Sequence, residues 1–434
     1  MKKKYSNIDK LAIILIVLFS FYYLDPFFTW KTFMGGRLRT LFGVIPFRTI
    51  FGLGIIFLWI CVYAKKGAEK GIIKLSILAI FVALFTIVLA GGIDNNQTFS
   101  LSWLPYFVVA VFLLYPEKIQ VESYRVFVFI FAVSLVLPII WYVLTHIGIK
   151  IPYVVLESYE EIKVIRGKYY KLYPLATQIT SKWDPAFQEL HLCGIYDEAG
   201  RVGTVAGLIL VSEKFKLRGN WKNVVILLGG ILAFSLAFYA ITVIYFIISC
   251  FEKRNYKKFG IVLCGVLAYF LFMNVQFNDP NITKFQERFE FTSEGLSGNN
   301  RTNDEFDGLM DEFYRSSIYD VLFGKGPEAI TKIQNKRNID GSSYKSLIFN
   351  YGIVGSGMSI LWIALYCLSK ARKKGADKMH IFAIFAVYVA NIYQRPTMFM
   401  MGYLLIMFGG ILSAAERNIG TSNGTLRRRR VFFV

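Results

Sequence analysis

Arg301 stands where a guanidinium can hold a phosphate. It lies in Ser297-Gly298-Asn299-Asn300-Arg301-Thr302-Asn303-Asp304-Glu305. Thr302-x-x-Glu305 has the spacing of a capping box, which predicts a helix beginning just after Arg301. Phe306, Leu309, Met310, Phe313, Ser317 and Val321 recur at helical spacing and give that helix a buried face. A permanently charged, planar guanidinium beside the unpaired N–H groups of a helix start is a ready anion site. Arg315 stands near the far end of the same helix. Ion pairs with Asp304, Asp311 or Glu312 are the competing use of both arginines.

Other residues could join such a site. Arg288, in Gln286-Glu287-Arg288-Phe289-Glu290, is flanked by carboxylates, so an ion pair competes there too. Arg201 is at the outer end of an apolar segment and can face a lipid head group or snorkel to the interface. Arg395-Pro396 falls in a tight turn before the last apolar segment and can add a cation or anchor the turn. Asp340, in Asp340-Gly341-Ser342-Ser343-Tyr344-Lys345, is a general-base candidate, with a turn or cap acid as the alternative. His191 is the histidine inside a large polar loop and the second base candidate. Gly324-Lys325-Gly326 reads as a turn, since one GxG says nothing about nucleotides. There is no DxD, Walker loop, HExxH or zinc-type cluster, so neither metal nor cofactor is expected.

The elements that position these residues are apolar. The chain has 434 residues, is 55% hydrophobic and 17% aromatic, and lacks the polar surface of a soluble globule. Its apolar runs repeat at lengths that cross a ~30 Å hydrocarbon layer. Twelve spans are read near 8–28, 45–64, 72–91, 101–115, 125–147, 199–212, 223–235, 236–251, 259–277, 344–368, 379–394 and 396–414. They predict an all-α polytopic membrane protein, one integral domain over 1–434. The net charge of +20 fits the positive-inside bias, and no nucleic-acid partner is expected. The five cysteines suggest no disulfide framework, and Lys2–Lys4 before an apolar run reads as an uncleaved anchor.

Basic clusters set the predicted orientation. Lys2, Lys3, Lys4 and Lys10 put the N-terminus in the cytoplasm, and Arg427–Arg430 put the C-terminus there too. The loop at 29–44 disagrees, because it is assigned outside yet carries Lys31, Arg37 and Arg39. The stretch 223–250 would be about 42 Å long as one helix. It is basic at both flanks, so it should fold back near Ser235. Two large loops then face outward, 148–198 and 278–343. They hold 19 of the 29 acidic residues. No internal repeat and few charges at span centres argue against an ion-coupled carrier.

The order of several short motifs resembles the O-antigen polymerase and O-antigen ligase superfamily of bacterial envelope enzymes. The pieces are Gly194-Ile195-Tyr196-Asp197-Glu198 leading to Gly203, Ser235 after an apolar run, and Ser297-Gly298-Asn299-Asn300-Arg301. Leu322-Phe323-Gly324-Lys325-Gly326, Ser342-Ser343-Tyr344-Lys345-Ser346-Leu347 and Tyr351-Gly352-Ile353-Val354-Gly355 follow. The resemblance covers most of 190–410. It implies a glycosyltransferase at the outer face of the bacterial cytoplasmic membrane. Its substrate would be an undecaprenyl-diphosphate-linked oligosaccharide within membrane lipid. A flippase and a chain-length regulator are the expected partners. By the same resemblance, Arg301 matches the arginine after the Ser-Gly motif, and Arg201 sits where a loop arginine meets the sixth span. The ligase branch has a His-Asn pair where this chain reads Asp340-Gly341-Ser342-Ser343, which favours the polymerase branch.

The expected reaction is metal-independent glycosyl transfer. It would build an O-antigen, capsule or exopolysaccharide from lipid-linked repeat units. Arg301 with Arg201 or Arg315 would clamp the diphosphate, with Arg288 and Arg395 as further contacts. Asp340, or else His191, would take the proton. A ligase-type transferase to another acceptor and a flippase or exporter are the alternatives.

Overall fold

The computed structural model describes residues 5–43, 45–64, 67, 69–89, 104–158, 161–165, 167–251, 256–292, 295–296, 304–326, 329–337, 339, 341, 343–373, 375–396 and 400–422. Helices dominate it. In chain order they begin with α1 (Asn7–Tyr22), α2 (Phe47–Leu58), α3 (Lys70–Leu89), α4 (Leu104–Leu114) and α5 (Glu117–His146). After two short helices, α6 (Glu161–Ile165) and α7 (Pro185–Glu189), come α8 (Ala199–Ser212), α9 (Trp221–Leu232), α10 (Leu236–Cys250) and α11 (Tyr256–Asn274). The second polar loop supplies α12 (Pro280–Glu287), α13 (Asp304–Tyr314), α14 (Ile318–Phe323) and α15 (Ala329–Arg337). The chain closes with α16 (Tyr344–Ala371), α17 (Lys378–Gln394) and α18 (Met401–Ser422).

Each of the twelve apolar segments contains a helix. Two, α5 and α16, are long and apolar enough by length and composition to cross a membrane. The others are shorter or fall below that measure among the described residues.

The long helices run between two ends. At one end, Asp9 closes a capping box with Ser6 and accepts from Tyr63 Oη at 2.8 Å and Lys118 Nζ at 2.9 Å. Lys370 pairs there with Glu117 at 2.8 Å, Arg125 with Glu416 at 3.0 Å, and Lys214 with Asp377. The opposite end carries both large loops, which meet where Lys284 pairs with Asp184 at 2.6 Å. The break between α9 and α10 also sits at this loop end, because Leu192 N–H donates to Leu232 O at 3.0 Å. Phe234 there has a φ of 47°, and Ser235 is the first residue before α10.

Helices α8 and α18 form the centre. Along α8 nearly every side chain is buried, and so is the run Met401–Ala414 of α18. Close approach needs small residues. A side chain at Gly203 would overlap Ser235, and one at Gly207 would press on Ile241 at 2.9 Å. These glycines let α10 lie against α8.

The first large loop differs from the helical expectation. Strands β3 (Val154–Glu157), β4 (Lys168–Tyr173) and β5 (Ala176–Ser181) form an antiparallel sheet in that order. They follow one small pairing, β1 (Thr40–Leu41) with β2 (Ile45–Pro46), and a second, β6 (Phe291–Thr292) with β7 (Gly295–Leu296), comes later. The tyrosine-rich run of β4, with Pro174 directly after it, is the sequence signal for that sheet, and Leu175 turns the chain there with a φ of 55°.

The second loop builds its own small core from Phe306, Leu309, Met310, Phe313, Ile330, Ile339 and Phe349. Helix α13 is described from Asp304, and the predicted capping residue Thr302 lies outside the described residues. The helix is shorter than its apolar pattern suggested. It stops at Tyr314, and Ser317 instead caps α14, accepting from Tyr319 N–H at 3.2 Å.

Candidate functional site

A charged cluster is built where α1 leaves the bundle and α8 enters it. The connector Gly194-Ile195-Tyr196-Asp197-Glu198 turns at Gly194, with a φ of 68°. It is held by Phe27 N–H donating to Ile195 O at 2.8 Å. Tyr196 is fully buried, with its hydroxyl 3.0 Å from Ser134 Oγ. This fixes Asp197 one position before the residue that precedes α8, so that it faces Arg201 four residues on.

Arg201 is 8% exposed. Its Nη2 donates to Asp197 Oδ2 at 3.0 Å, and Nε lies 2.7 Å from Oδ1, close enough for Coulombic attraction but off hydrogen-bond geometry. Nη1 donates to Tyr23 O at 3.0 Å and pairs with Asp25 at 3.1 Å. Arg201 is therefore neither a snorkelling group nor an open diphosphate clamp: two carboxylates and a carbonyl already surround it. Lys163 approaches Asp197 at 3.5 Å.

Arg395 belongs to the same cluster. Its Nη1 donates to Glu198 Oε1 at 2.8 Å. Its side chain is 11% exposed. Its Nε and Nη2 are buried and have no hydrogen-bond partner among the described residues. Those two atoms form the side-on fork of a guanidinium, the edge that takes a carboxylate or phosphate with two parallel bonds. A buried, unmet donor pair needs an acceptor. Tyr403, in the first turn of α18, interacts electrostatically with both Arg395 and Arg201.

The two loop candidates, Arg288 and His191, meet each other. His191 Nδ1 lies 2.9 Å from Phe187 O, and its Nε2 lies 3.1 Å from Arg288 Nη1. The contacts assign Nδ1 as the N–H donor and Nε2 as the acceptor. Arg288 also lies over the Phe187 ring, 5.4 Å from its centroid. His191 is not placed as a catalytic base, since its lone pair already accepts from Arg288, and Arg288 is not a free diphosphate contact. Burial, and then the Arg288 charge, push the His191 pKa down to about 4.

That shift has a pH consequence. Folding holds the ring neutral where the unfolded chain binds a proton. Stability from this group is complete above its ordinary value of 6.5 and falls as the pH drops toward about 4. The loss should approach about 3 kcal/mol. His191→Gln keeps an acceptor for Arg288 without titrating. Thermal unfolding in detergent from pH 7 to 4 should show a shallower acid loss in the variant than in wild type. Parallel curves would remove His191 from the acid response.

Arg315 is exposed beyond the end of α13 and makes no ion pair among the described residues. It stands apart from the buried cluster. Arg301 and Asp340 lie outside the described residues. The sequence reading missed Asp25, Asp197, Glu198 and Lys163 as members of the cluster. The Asp197–Arg201 spacing of four was its local signal.

The turn at Gly324-Lys325-Gly326 is a docking element. Lys325 N–H donates to Phe349 O at 2.9 Å, and Gly326 N–H to Asn350 O at 3.0 Å. These carbonyls are exposed by a break in α16 at Gly352, whose φ and ψ are 69° and 176°. Two motifs far apart in sequence therefore form one joint.

The fold and site define a mostly helical bundle protein with a buried, arginine-centred charge cluster at the end that bears its large loops. Comparison with family models, with curated proteins and with solved structures gives no match.

Proposed function

We propose that this protein is a polysaccharide polymerase of the bacterial cytoplasmic membrane. In this reading the helices of its twelve apolar segments cross the membrane, both termini lie in the cytoplasm, and the loops 148–198 and 278–343 face outward. The short central helices fit that reading, because α8 is covered by other helices rather than by lipid. The protein joins repeat units carried on undecaprenyl diphosphate.

The observation that carries the reading is the buried, unmet Nε/Nη2 edge of Arg395. A diphosphate oxygen pair matches that edge in charge and geometry. A hydroxyl of one lipid-linked unit attacks the anomeric carbon of another glycan. The new C–O bond forms as the bond from that carbon to the diphosphate oxygen breaks. The diphosphate leaves with the electron pair, and the proton passes to a carboxylate. Asp340 is the proposed base and Arg301 a second phosphate contact. Direct displacement inverts the anomeric carbon. Arginine stabilises the charge that grows on the leaving diphosphate.

A deletion strain complemented with wild type, Arg301→Ala or Asp340→Ala tests the reading. Both variants should leave single repeat units on the cell surface, as the deletion does. Units trapped on the inner leaflet of the deletion strain would instead indicate a flippase. Long lipid-linked chains left untransferred would indicate a ligase.

A further inference from the structure

A second cationic site lies beside the first, in the loop whose basic charge runs against the orientation bias. The exit of α1 and the segment 29–48 enclose a cleft lined by Tyr22, Asp25, Thr29, Trp30, Arg39 and Arg48, with Pro46 at its rim. Asp25 is already paired with Arg201 at 3.1 Å, so its charge is offset. Arg39 and Arg48 make no ion pair among the described residues. Arg48 is exposed and lies over the Tyr23 ring at 5.6 Å. The cleft therefore has a positive balance and two guanidiniums in reach of one anion.

The same segment ends in an apolar tip. Where β1 turns toward β2, Phe42 is 90% exposed, with Ile45 at 45%, Leu38 at 41% and Met34 at 58%. Lys31 and Arg37 are exposed around it. Apolar side chains beside basic ones, at one end of an apolar bundle, are the composition of an interfacial anchor. A soluble anion would need the arginines but would give no use to the tip.

We infer that this cleft binds the phosphate of an anionic membrane lipid, with Arg39 and Arg48 on the phosphate and the Phe42 tip in the outer leaflet. This rests on the membrane reading of the preceding section. It explains why an outward loop carries Lys31, Arg37 and Arg39: lipid phosphate neutralises them. Asp25 is shared by the cleft wall and the Arg201 cluster, so a lipid phosphate held here stands next to the buried site.

The test uses the full chain in phosphatidylcholine nanodiscs doped with phosphatidylglycerol or with a short polyprenyl diphosphate. Retained lipid is counted by native mass spectrometry. Arg39→Gln/Arg48→Gln should lower retention of phosphate lipid about thirtyfold, and each single change about fivefold. Phe42→Ser should weaken lipid retention and leave inorganic diphosphate binding unchanged. Preferential loss of polyprenyl diphosphate would identify the substrate lipid as the occupant, and equal loss of both lipids a general head-group site. Unchanged retention in the double variant overturns the inference while leaving the membrane reading intact. So does inorganic diphosphate that competes as strongly as lipid. Wild-type protein that does not enter nanodiscs overturns both.

Discussion

If the proposed polymerase reaction is the one catalysed, Arg395→Ala should lower polymer formation at least about a hundredfold, a loss of roughly 3 kcal/mol of transition-state stabilisation. One nitrogen of this guanidinium is spent on Glu198, at 2.8 Å, and the buried fork edge has no partner among the described residues. In the proposed reaction that unmet edge is the part left to take the leaving diphosphate. Arg395→Lys keeps the charge but loses the fork, so it should recover little of the activity. Glu198→Gln keeps an acceptor for Nη1 and should retain most of it. The measurement is chain length and turnover in membrane fractions, at matched protein yield. Normal turnover with Arg395→Ala would remove the residue from the reaction. Arg201→Ala makes the contrast. It removes the guanidinium that Asp197 and Asp25 share, and should fail on yield and stability, by about 3–5 kcal/mol, before any rate can be read.

Gly352→Ala should destabilise the joint between the second loop and α16 by about 4 kcal/mol. Two causes act together. A backbone with φ 69° and ψ 176° is open to glycine and strained for any side chain. A Cβ at this position would also overlap the Leu322 carbonyl, and one at Gly324 would overlap the Asn350 carbonyl. Backbone atoms cannot swing aside as a side-chain tip can. Tryptic cleavage at Lys325 should accelerate in Gly352→Ala, and the thermal midpoint in detergent should fall. Gly357→Ala, in the same helix, has open space around its Cβ and should be neutral or slightly stabilising. Equal behaviour of the two variants would separate the strained backbone from the stability of the joint.

The opposite end of the bundle shows how differently paired charges behave. Lys118–Asp9 and Lys370–Glu117 are part-exposed pairs that tie helix ends together. Each contributes little by itself. The Arg201 pair is enclosed, so its geometry is held by the surrounding connector and by α1. Removing one partner there costs far more than the attraction it supplied.

Local pattern alone located much of this architecture. Apolar runs placed the helices, because helical periodicity repeats within a few residues. The basic flanks of 223–250 located a break near Ser235. The spacing of Phe306, Leu309, Met310 and Phe313 located the buried face of α13, and Gly324-Lys325-Gly326 a turn. The sheet of the first loop escaped because its strands are short and set among helices. Tertiary structure alone decided which charges meet. Arg395 reaches Glu198 across 197 positions of chain, Arg201 reaches Tyr23 across 178, and Arg288 reaches His191 across 97. No periodicity spans such separations. The packing of α8, α18 and the loop connectors brings these residues together, and it leaves one edge of Arg395 without a partner among the described residues while closing Arg201 and His191.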